Sequence, residues 1–340
     1  MDTTPEPRRL SAREFIDSLE GAAPLAEFSP LTGTVALVVD LDGAKRLRGD
    51  TTERVRARMR ELPCTTIAIR RAATRYSVEA DFDVIVRDTD ALERVVDAVR
   101  ARPLASMALV QLLRHSEKIS VHDALIAESF VYSMLQCGPE FAAWIAAQTQ
   151  RATPMPANLE PAALVTRDGA RLDIVLNRPE RHNAYSVEMR DALVEALEVA
   201  VADDSLEEIV LSGRGPSFSA GGDLVEFGSH PDPVTAHAVR SARNAGRLLS
   251  HCRNRVRAEV HGACIGAGAE LSAFAAFVVA KPDTYFQLPE LSMGLVPGAG
   301  GTVSIPRRIG RQRAAYMALT GVRIDAQTAL EWGLIDSVAQ

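Results

Sequence analysis

The sequence predicts an α/β protein in two parts, and three observations support this prediction. Strand and helix patterns alternate through the second half of the 340-residue chain. Glycine is absent from residues 50–137 but frequent in residues 209–301, so tight turns concentrate in the second part. Residues 151–162 hold three prolines and no apolar period, which is typical of a linker. We therefore predict one domain over residues 1–150 and another over residues 163–340.

The first part begins with strand patterns and ends with helices. Short apolar runs rich in β-branched residues predict strands at residues 35–41, 65–69 and 82–86. Helical periodicity then covers residues 92–100, 104–114 and 121–135, and Gly138-Pro139 precedes a last short helix at residues 140–147.

The second part begins with a hairpin and continues with alternating elements. Asp168-Gly169 supplies the hairpin turn, and Ser186 caps a following amphipathic helix. Further patterns predict strands at residues 207–213, 255–260 and 277–280, and a small-residue helix at residues 267–276.

Composition narrows the classes of function. The formal net charge is −6 and no Lys/Arg tract is present, which argues against nucleic acid as a partner. No run of ~20 apolar residues could span a membrane, and the polar first residues lack a signal core, so we expect a cytoplasmic protein. Four scattered cysteines favour reduced, mostly buried thiols.

The first motif of chemical interest is FSAGGDL, residues 218–224. It follows a predicted strand, and its small residues let the backbone approach a ligand closely with N–H groups turned outward. Taken alone, the motif favours an ordinary turn.

The second motif is HGACIGAGAEL, residues 261–271. A strand ends, glycines make a sharp turn, and a helix begins whose free N–H groups suit a developing oxyanion. The GxGxx pattern could also suggest a dinucleotide site, but Glu270 and Leu271 follow it and the third glycine is missing, which argues against that interpretation.

The third motif is LPELSMGLVPGAGGT, residues 288–302. Glu290 follows a proline in an apolar stretch, where partial desolvation would raise its pKa toward proton-transfer duty. The alternative is that Glu290 caps or salt-bridges a local turn.

These three motifs, in this order, resemble those of the crotonase family of enoyl-CoA hydratases and isomerases. The resemblance runs from about residue 163 to residue 338, beginning at LNRPERHNAYS and ending at LTGVRIDAQTALEWGLIDSV. It implies a crotonase-like core, a spiral of ββα units, that binds a coenzyme A thioester as substrate. It implies no metal and no cofactor besides the coenzyme A of the substrate, and a homo-oligomer, a trimer or hexamer.

The resemblance also implies roles for particular residues. The backbone N–H groups of Gly222 and Ala267 would form the oxyanion hole, Glu270 would activate water, and Glu290 would deliver a proton to Cα. The implied substrate-binding residues are Ala184, Ser219, Ala220, Gly221, Asp223, Leu224, Gly266, Pro289 and Gly298.

Three positions depart from the family pattern. Ala267 replaces the middle glycine of the usual run but keeps its N–H, and Val225 stands where hydratases often carry a cation for the coenzyme A phosphates. Arg178, Arg181 or His182 could supply that charge instead, and His261, where Asn is common, is expected to be a structural hydrogen-bonding residue.

The first part resembles an abridged crotonase half. Residues 103–148 are similar to the closing helices that family members carry after the last segment matched here, whereas the glycine loops and both glutamates are missing. We predict that these helices close the site of the second part, in cis or from a neighbouring subunit. The alternative is an unrelated helical accessory domain.

The resemblance favours an enoyl-CoA hydratase or dehydratase, because both glutamates are present. An isomerase, which needs one glutamate, remains open, as do a carbon–carbon bond hydrolase and a cofactor-independent oxygenase. A non-catalytic subunit that binds acyl-CoA is the alternative from another class.

Overall fold

The computed structural model describes residues 6–21, 24–42, 44, 47, 49–71, 76–148, 160–229 and 232–339. Its first part contains a four-stranded parallel sheet in the order β1-β2-β3-β4. The strands are β1 (Glu6–Ser11), β2 (Thr34–Asp40), β3 (Thr65–Ile69) and β4 (Val84–Val86). The accompanying helices are α1 (Ala12–Glu20), α2 (Asp50–Glu61) and α3 (Thr89–Ala101). The sequence did not predict β1, α1 or α2, although Ser11 and Glu14 form a capping box at the start of α1.

Three helices follow the small sheet and pack against the second part of the chain. They are α4 (Pro103–Ser116), α5 (Val121–Gln136) and α6 (Pro139–Ala147). Proline opens α4 and α6, and the Ser120 side chain accepts the Asp123 N–H at the start of α5. All three lie close to the ranges that the sequence predicts.

The second part is built on a six-stranded sheet in the order β13-β10-β8-β7-β6-β5. Strands β5 and β6 form the predicted antiparallel hairpin, and all other neighbouring strands of this sheet pair in parallel. Its strands are β5 (Ala163–Asp168), β6 (Arg171–Leu176), β7 (Glu208–Gly213), β8 (Val256–Val260), β10 (Phe277–Ala280) and β13 (Ser337–Val338). A smaller sheet has the order β12-β11-β9, from β9 (Ala263–Ile265), β11 (Tyr285–Gln287) and β12 (Ile324–Asp325).

Helices cover this sheet. They are α7 (Val187–Ala202), α8 (Pro233–Ala242), α9 (Ala245–His251), α10 (Ala267–Ser272), α11 (Gly301–Ile309), α12 (Arg311–Thr320) and α13 (Ala326–Trp332). Helix α10 ends four residues before the predicted residue 276. The predicted α/β class is confirmed, and the first part is an α/β region with its own parallel sheet.

One hydrophobic core crosses the predicted linker. It extends from Val35 through the buried faces of α4 and α5 to Ile335, while a smaller cluster around Phe15 and Phe82 fills the space beside the first sheet. Residues 151–159 of the linker lie outside the described residues, and Ala163 is already paired with Leu176 in the hairpin. Helices α4 to α6 therefore share their core with the second part.

A buried ionic cluster joins the first sheet to the second part. Asp83, 1% exposed, accepts from Arg114 Nε at 2.8 Å and from Arg311 Nη1 at 3.1 Å, and Thr66 donates to it from its N–H and hydroxyl at 2.8 Å each. Arg114 lies on α4 and Arg311 on α12, so a single carboxylate connects three elements.

Within the described residues no helix is long and apolar enough to cross a membrane.

Candidate active site

Two glycine-rich loops meet at the centre of the second part. Ser219 N–H donates to Ala263 O at 3.1 Å, and Ile265 N–H donates to Ser219 O at 2.9 Å, so the FSAGGDL segment pairs with β9. A Cβ on Gly268 would lie 2.9 Å from Ser219 O. This close approach explains a glycine there and brings the amides of Gly222 and Ala267 to the same place.

The turn before α10 requires glycine. Gly266 has φ +49°, and a Cβ there would lie 2.5 Å from Glu290 Oε1. Its conformation places Ala267 at the first position of α10, where a backbone N–H has no partner within the helix. Among the described residues, no acceptor is recorded for the N–H of Gly222 or of Ala267.

Both amides face a cavity of about 470 Å³. Its lining comes from α5, from the segments around residues 185–190 and 222–229, from α8 and α9, and from the loop at residues 298–299. The two free N–H groups and the start of α10 give its floor a positive electrostatic potential, which suits a carbonyl oxygen that gains negative charge.

Glu270 lies on α10, one turn after Ala267. It is 2% exposed, and its carboxylate accepts the N–H groups of Ala299 at 2.7 Å and Gly301 at 2.8 Å. Burial raises the pKa of Glu270 to about 7, against the two amide hydrogen bonds, which lower it. Glu270 thus changes charge near neutral pH, as a general base needs.

Glu290 opens the 3₁₀ helix Glu290–Met293 and also faces the cavity. Burial raises its pKa well above the ordinary value, and the nearby Glu270 carboxylate raises it further. Its Oε2 is buried without a hydrogen-bond partner among the described residues. These surroundings favour the protonated acid, whose O–H could donate into the cavity.

A third carboxylate, which the sequence did not predict, lies behind the first two. Glu128 on α5 is 2% exposed and accepts from Gly300 N–H at 2.7 Å, Thr302 N–H at 2.9 Å and Thr302 Oγ1 at 2.6 Å. Burial raises the pKa of Glu128 to about 8, and the Glu270 carboxylate adds to the shift. The sequence pattern that could have indicated Glu128 is a carboxylate one turn after Ala124, on the buried face of an apolar helix.

Tyr132 and Arg240 were also missed, and both line the cavity. The Tyr132 ring packs so closely on Gly298 that a Cβ there would lie 2.4 Å from Cδ2. The Arg240 guanidinium stands 4.9 Å from the centre of that ring and donates to the hydroxyls of Ser129, at 3.1 Å, and Ser133. Two helices of different parts, α5 and α8, thus meet at the cavity.

The predicted substrate-binding residues divide into two groups. Asp223 and Gly298 line the cavity, together with Gly222, Ala267, Glu270 and Glu290. The others support that lining or lie outside it, and their binding role stays a prediction: Ala184, Ser219, Ala220, Gly221, Leu224, Gly266 and Pro289. Ser219, for example, is 3% exposed and its hydroxyl donates to Asn183 O.

The residues suggested as replacements for the missing cation at Val225 already have partners. Arg178 is 3% exposed and donates to the carbonyls of Glu160, Pro161 and Asn177. Arg181 pairs with Asp223 at 3.0 Å.

His261 Nε2 lies 2.9 Å from Gly215 O, the structural contact expected of it. Within the described residues, no cluster of three or more His, Cys, Asp or Glu side chains could hold a metal ion.

Comparison with known proteins agrees with this geometry. The family model described as enoyl-CoA hydratase/isomerase matches residues 167–340. The 2,3-dehydroadipyl-CoA hydratase of Escherichia coli is 37% identical over 175 residues, which cover 52% of this chain and 68% of that protein. The 1,2-epoxyphenylacetyl-CoA isomerase of Escherichia coli is 36% identical over 168 residues, covering 48% and 64%.

A solved structure gives the same result. A Mycobacterium abscessus protein described as an enoyl-CoA hydratase/isomerase has a TM-score of 0.50 and 33% identity, and the match covers 53% of this chain and 71% of that one. The match spans about two thirds of the length of these relatives. By its matched motifs, its core and its relatives, the chain belongs to the enoyl-CoA hydratase/isomerase family.

Proposed function

We propose that the chain hydrates an α,β-unsaturated acyl-CoA, or dehydrates the product. One observation carries this proposal: two buried carboxyl groups, both with raised pKa values, face the same cavity as two free amides. Hydration needs one group that takes a proton from water and another that gives a proton to Cα. Glu270, with a pKa of about 7, supports the first role, and Glu290, whose pKa lies well above normal, supports the second.

The reaction would proceed as follows. Glu270 accepts a proton from water while the water oxygen attacks Cβ, and the electron pair of the double bond moves toward the thioester. The N–H groups of Gly222 and Ala267 bind the enolate oxygen. Glu290 then gives its proton to Cα, so one proton has left water and one has reached carbon. Transfer of a proton from Glu270 to Glu290 restores both groups.

The proposal is tested with crotonyl-CoA and with longer or aromatic enoyl-CoA thioesters, by following loss of the conjugated absorbance. We expect Glu270→Gln and Glu290→Gln each to lower kcat by about 10²–10⁴-fold, because each removes one proton-transfer group without changing the side-chain shape. Double-bond migration that survives one of these changes would support the isomerase instead. Thioester binding without turnover would support a non-catalytic subunit.

We also propose that residues 163–340 form the catalytic domain and that the helices at 103–147 close it in cis. Tyr132 and Gln136 of α5 line the cavity of their own chain, which supports this division. The predicted trimer or hexamer is a separate prediction from closure of the cavity. Size-exclusion chromatography with light scattering would test this oligomeric state.

A further inference from the structure

Four consecutive backbone amides in the loop before and into α11 alternate between two carboxylates. The N–H groups of Ala299 and Gly301 donate to Glu270, at 2.7 and 2.8 Å. Those of Gly300 and Thr302 donate to Glu128, at 2.7 and 2.9 Å. Glu270 belongs to α10 of the second part and Glu128 to α5 of the first. The same loop therefore donates to both carboxylates, and its position depends on each of them.

The same helix fixes the loop at a second point. Tyr132 lies one turn after Glu128 on α5, and its ring packs on Gly298 at the start of the loop. Residues 298–302 are thus held by an aromatic contact at one end and by the Glu128 carboxylate at the other. A shift of α5 would move the amides that orient Glu270.

Burial of Glu128 calls for an explanation beyond packing. A carboxylate that is 2% exposed loses its hydration, and an apolar side chain of similar size would fill the same space without that loss. Its three hydrogen bonds replace the lost water contacts. Because it accepts amides of the loop that also donates to Glu270, it affects a group that the proposed reaction uses.

We propose that Glu128 is a positioning residue for catalysis: it fixes the loop at residues 298–302, whose amides orient the Glu270 carboxylate. This inference rests on the proposed function, in which Glu270 is the base. The other charged or titratable groups that act on this pair are Glu290, Tyr132 and Arg240. Glu290 is the protonated acid of the proposed reaction, and the charge of Arg240 favours the ionised form of Glu128.

The order of ionisation follows from the same surroundings. Burial and the Glu270 charge raise the pKa of Glu128 above that of Glu270, so Glu270 ionises first and Glu128 is still protonated when the base forms. Replacement of Glu128 by glutamine, which is also neutral, should therefore leave the pKa of Glu270 at about 7. One loop amide, that of Gly300 or Thr302, should lose its acceptor, and the loop that orients the Glu270 carboxylate should shift.

The experiment compares Glu128→Gln with a matched control, Glu140→Gln. Glu140 is also a glutamate of the helical region that accepts two amides at a helix start, those of Leu104 at 2.8 Å and Ala105 at 3.0 Å, but it does not line the cavity. We expect Glu128→Gln to lower kcat by about 10- to 100-fold with little change in KM, because the base is displaced rather than the binding surface. The acidic limb of the kcat/KM profile should stay in place in both variants, and Glu140→Gln should leave kcat unchanged.

Substitutions at Thr302 refine the test. Thr302→Val removes the hydroxyl that donates to Glu128 and should lower kcat in part, whereas Thr302→Ser keeps the hydroxyl and should retain the wild-type kcat. A second readout does not depend on turnover: infrared titration of ¹³C-labelled carboxyl groups, with the Glu270 band assigned by its loss in Glu270→Gln.

The two proposals fail in different ways. Absence of hydration by the wild type overturns the proposed function, while the frequency of the Glu270 infrared band still reports the loop hydrogen bonds that Glu128 positions. An unchanged kcat and an unchanged Glu270 band in Glu128→Gln, with a fall in thermal stability like that of Glu140→Gln, would make Glu128 a structural cap only and overturn this inference.

Discussion

At the scale of single residues, the oxyanion hole depends on backbone hydrogens rather than on side chains. Ala267 replaces a glycine of the family pattern, yet its N–H still lies at the first position of α10 and faces the cavity. Nothing in the hole depends on the Ala267 methyl group. A test of the oxyanion hole must therefore remove the backbone N–H hydrogen of Ala267 and leave helix α10 intact.

Ala267→Pro is that test, because proline is tolerated at the first position of a helix and has no N–H. We expect kcat to fall by about 10²–10³-fold, the usual cost of one oxyanion donor, with α10 retained. Ala267→Gly, which keeps the N–H, is the control and should remain within a few-fold of the wild type. Equal activity of the proline variant and the glycine control, measured in the crotonyl-CoA assay, would mean that this amide does not bind the enolate.

The residue scale also shows what sequence reasoning found and what it missed. Glu270, Glu290, Gly222 and Ala267 lie in recognisable loop motifs, and the structure brings all four to one cavity. Glu128, Tyr132 and Arg240 lie in helices without any motif. Tyr132 and Arg240 reach the cavity through packing between α5 and α8, and Glu128 reaches only the loop beside it. The pattern of a single helix does not say which other helix it meets.

At the scale of elements, the connection between the first sheet and the second part depends on Asp83. This carboxylate binds Arg114 of α4 and Arg311 of α12, and all three side chains are less than 10% exposed. Asp83→Asn should lower the free energy of unfolding by about 3–5 kcal/mol, because two buried guanidinium groups lose their counter-charge.

Urea unfolding followed by circular dichroism checks this expectation. Asp17→Asn is the control, since Asp17 pairs with Arg13 on an exposed face of α1 at 3.7 Å, and it should leave the unfolding midpoint unchanged. A midpoint for Asp83→Asn that equals the wild type would show that the Asp83 ion pairs do not stabilise the connection between the two parts.

Prediction of elements was most accurate where the pattern was long. The helices at 103–147 and the hairpin at 163–176 were found close to their limits, because proline, serine and Asp-Gly mark their ends. Strand β1 was missed: its residues are mostly polar and alternate only weakly, and it is recognisable as a strand only through its parallel pairing with β2. Pairing between distant segments of this kind leaves little trace in a local pattern.

At the scale of the whole molecule, buried carboxyl groups link stability to pH. The pKa values of Glu128 and Glu270 rise to about 8 and about 7 in the folded state, and that of Glu290 also rises. The folded state therefore holds protons that the unfolded chain releases above about pH 4.5. Their contribution to stability is complete below that pH and is lost as the pH rises through 7 and 8.

We expect Glu270→Gln to be more stable than the wild type at pH 9, by on the order of 1–3 kcal/mol, and to differ little at pH 5. Glutamine fills the same space and carries no charge that must be buried. Urea unfolding of both proteins from pH 5 to pH 9 measures the difference. A difference that stays constant with pH would show that Glu270 does not change its protonation on folding in this range.

The division at residues 151–162, inferred from proline content, stays a prediction at this scale. The hydrophobic core continues from α4 and α5 into the second sheet. Composition reports where the chain is free of regular structure. It does not report which segments bury their apolar faces against each other, and α4 to α6 bury theirs against the second part.

The hydrogen bonds of Glu128 have a consequence for biosynthesis. Its acceptor oxygens meet amides that lie 172 and 174 positions later in the chain. At roughly 5–20 residues per second, a ribosome adds that length in on the order of 10–30 s. During this interval the nascent helix carries an apolar face and a hydrated carboxylate without the loop that later covers both. Contacts of such long sequence separation slow folding, so newly made chains should depend on chaperones until translation passes residue 302.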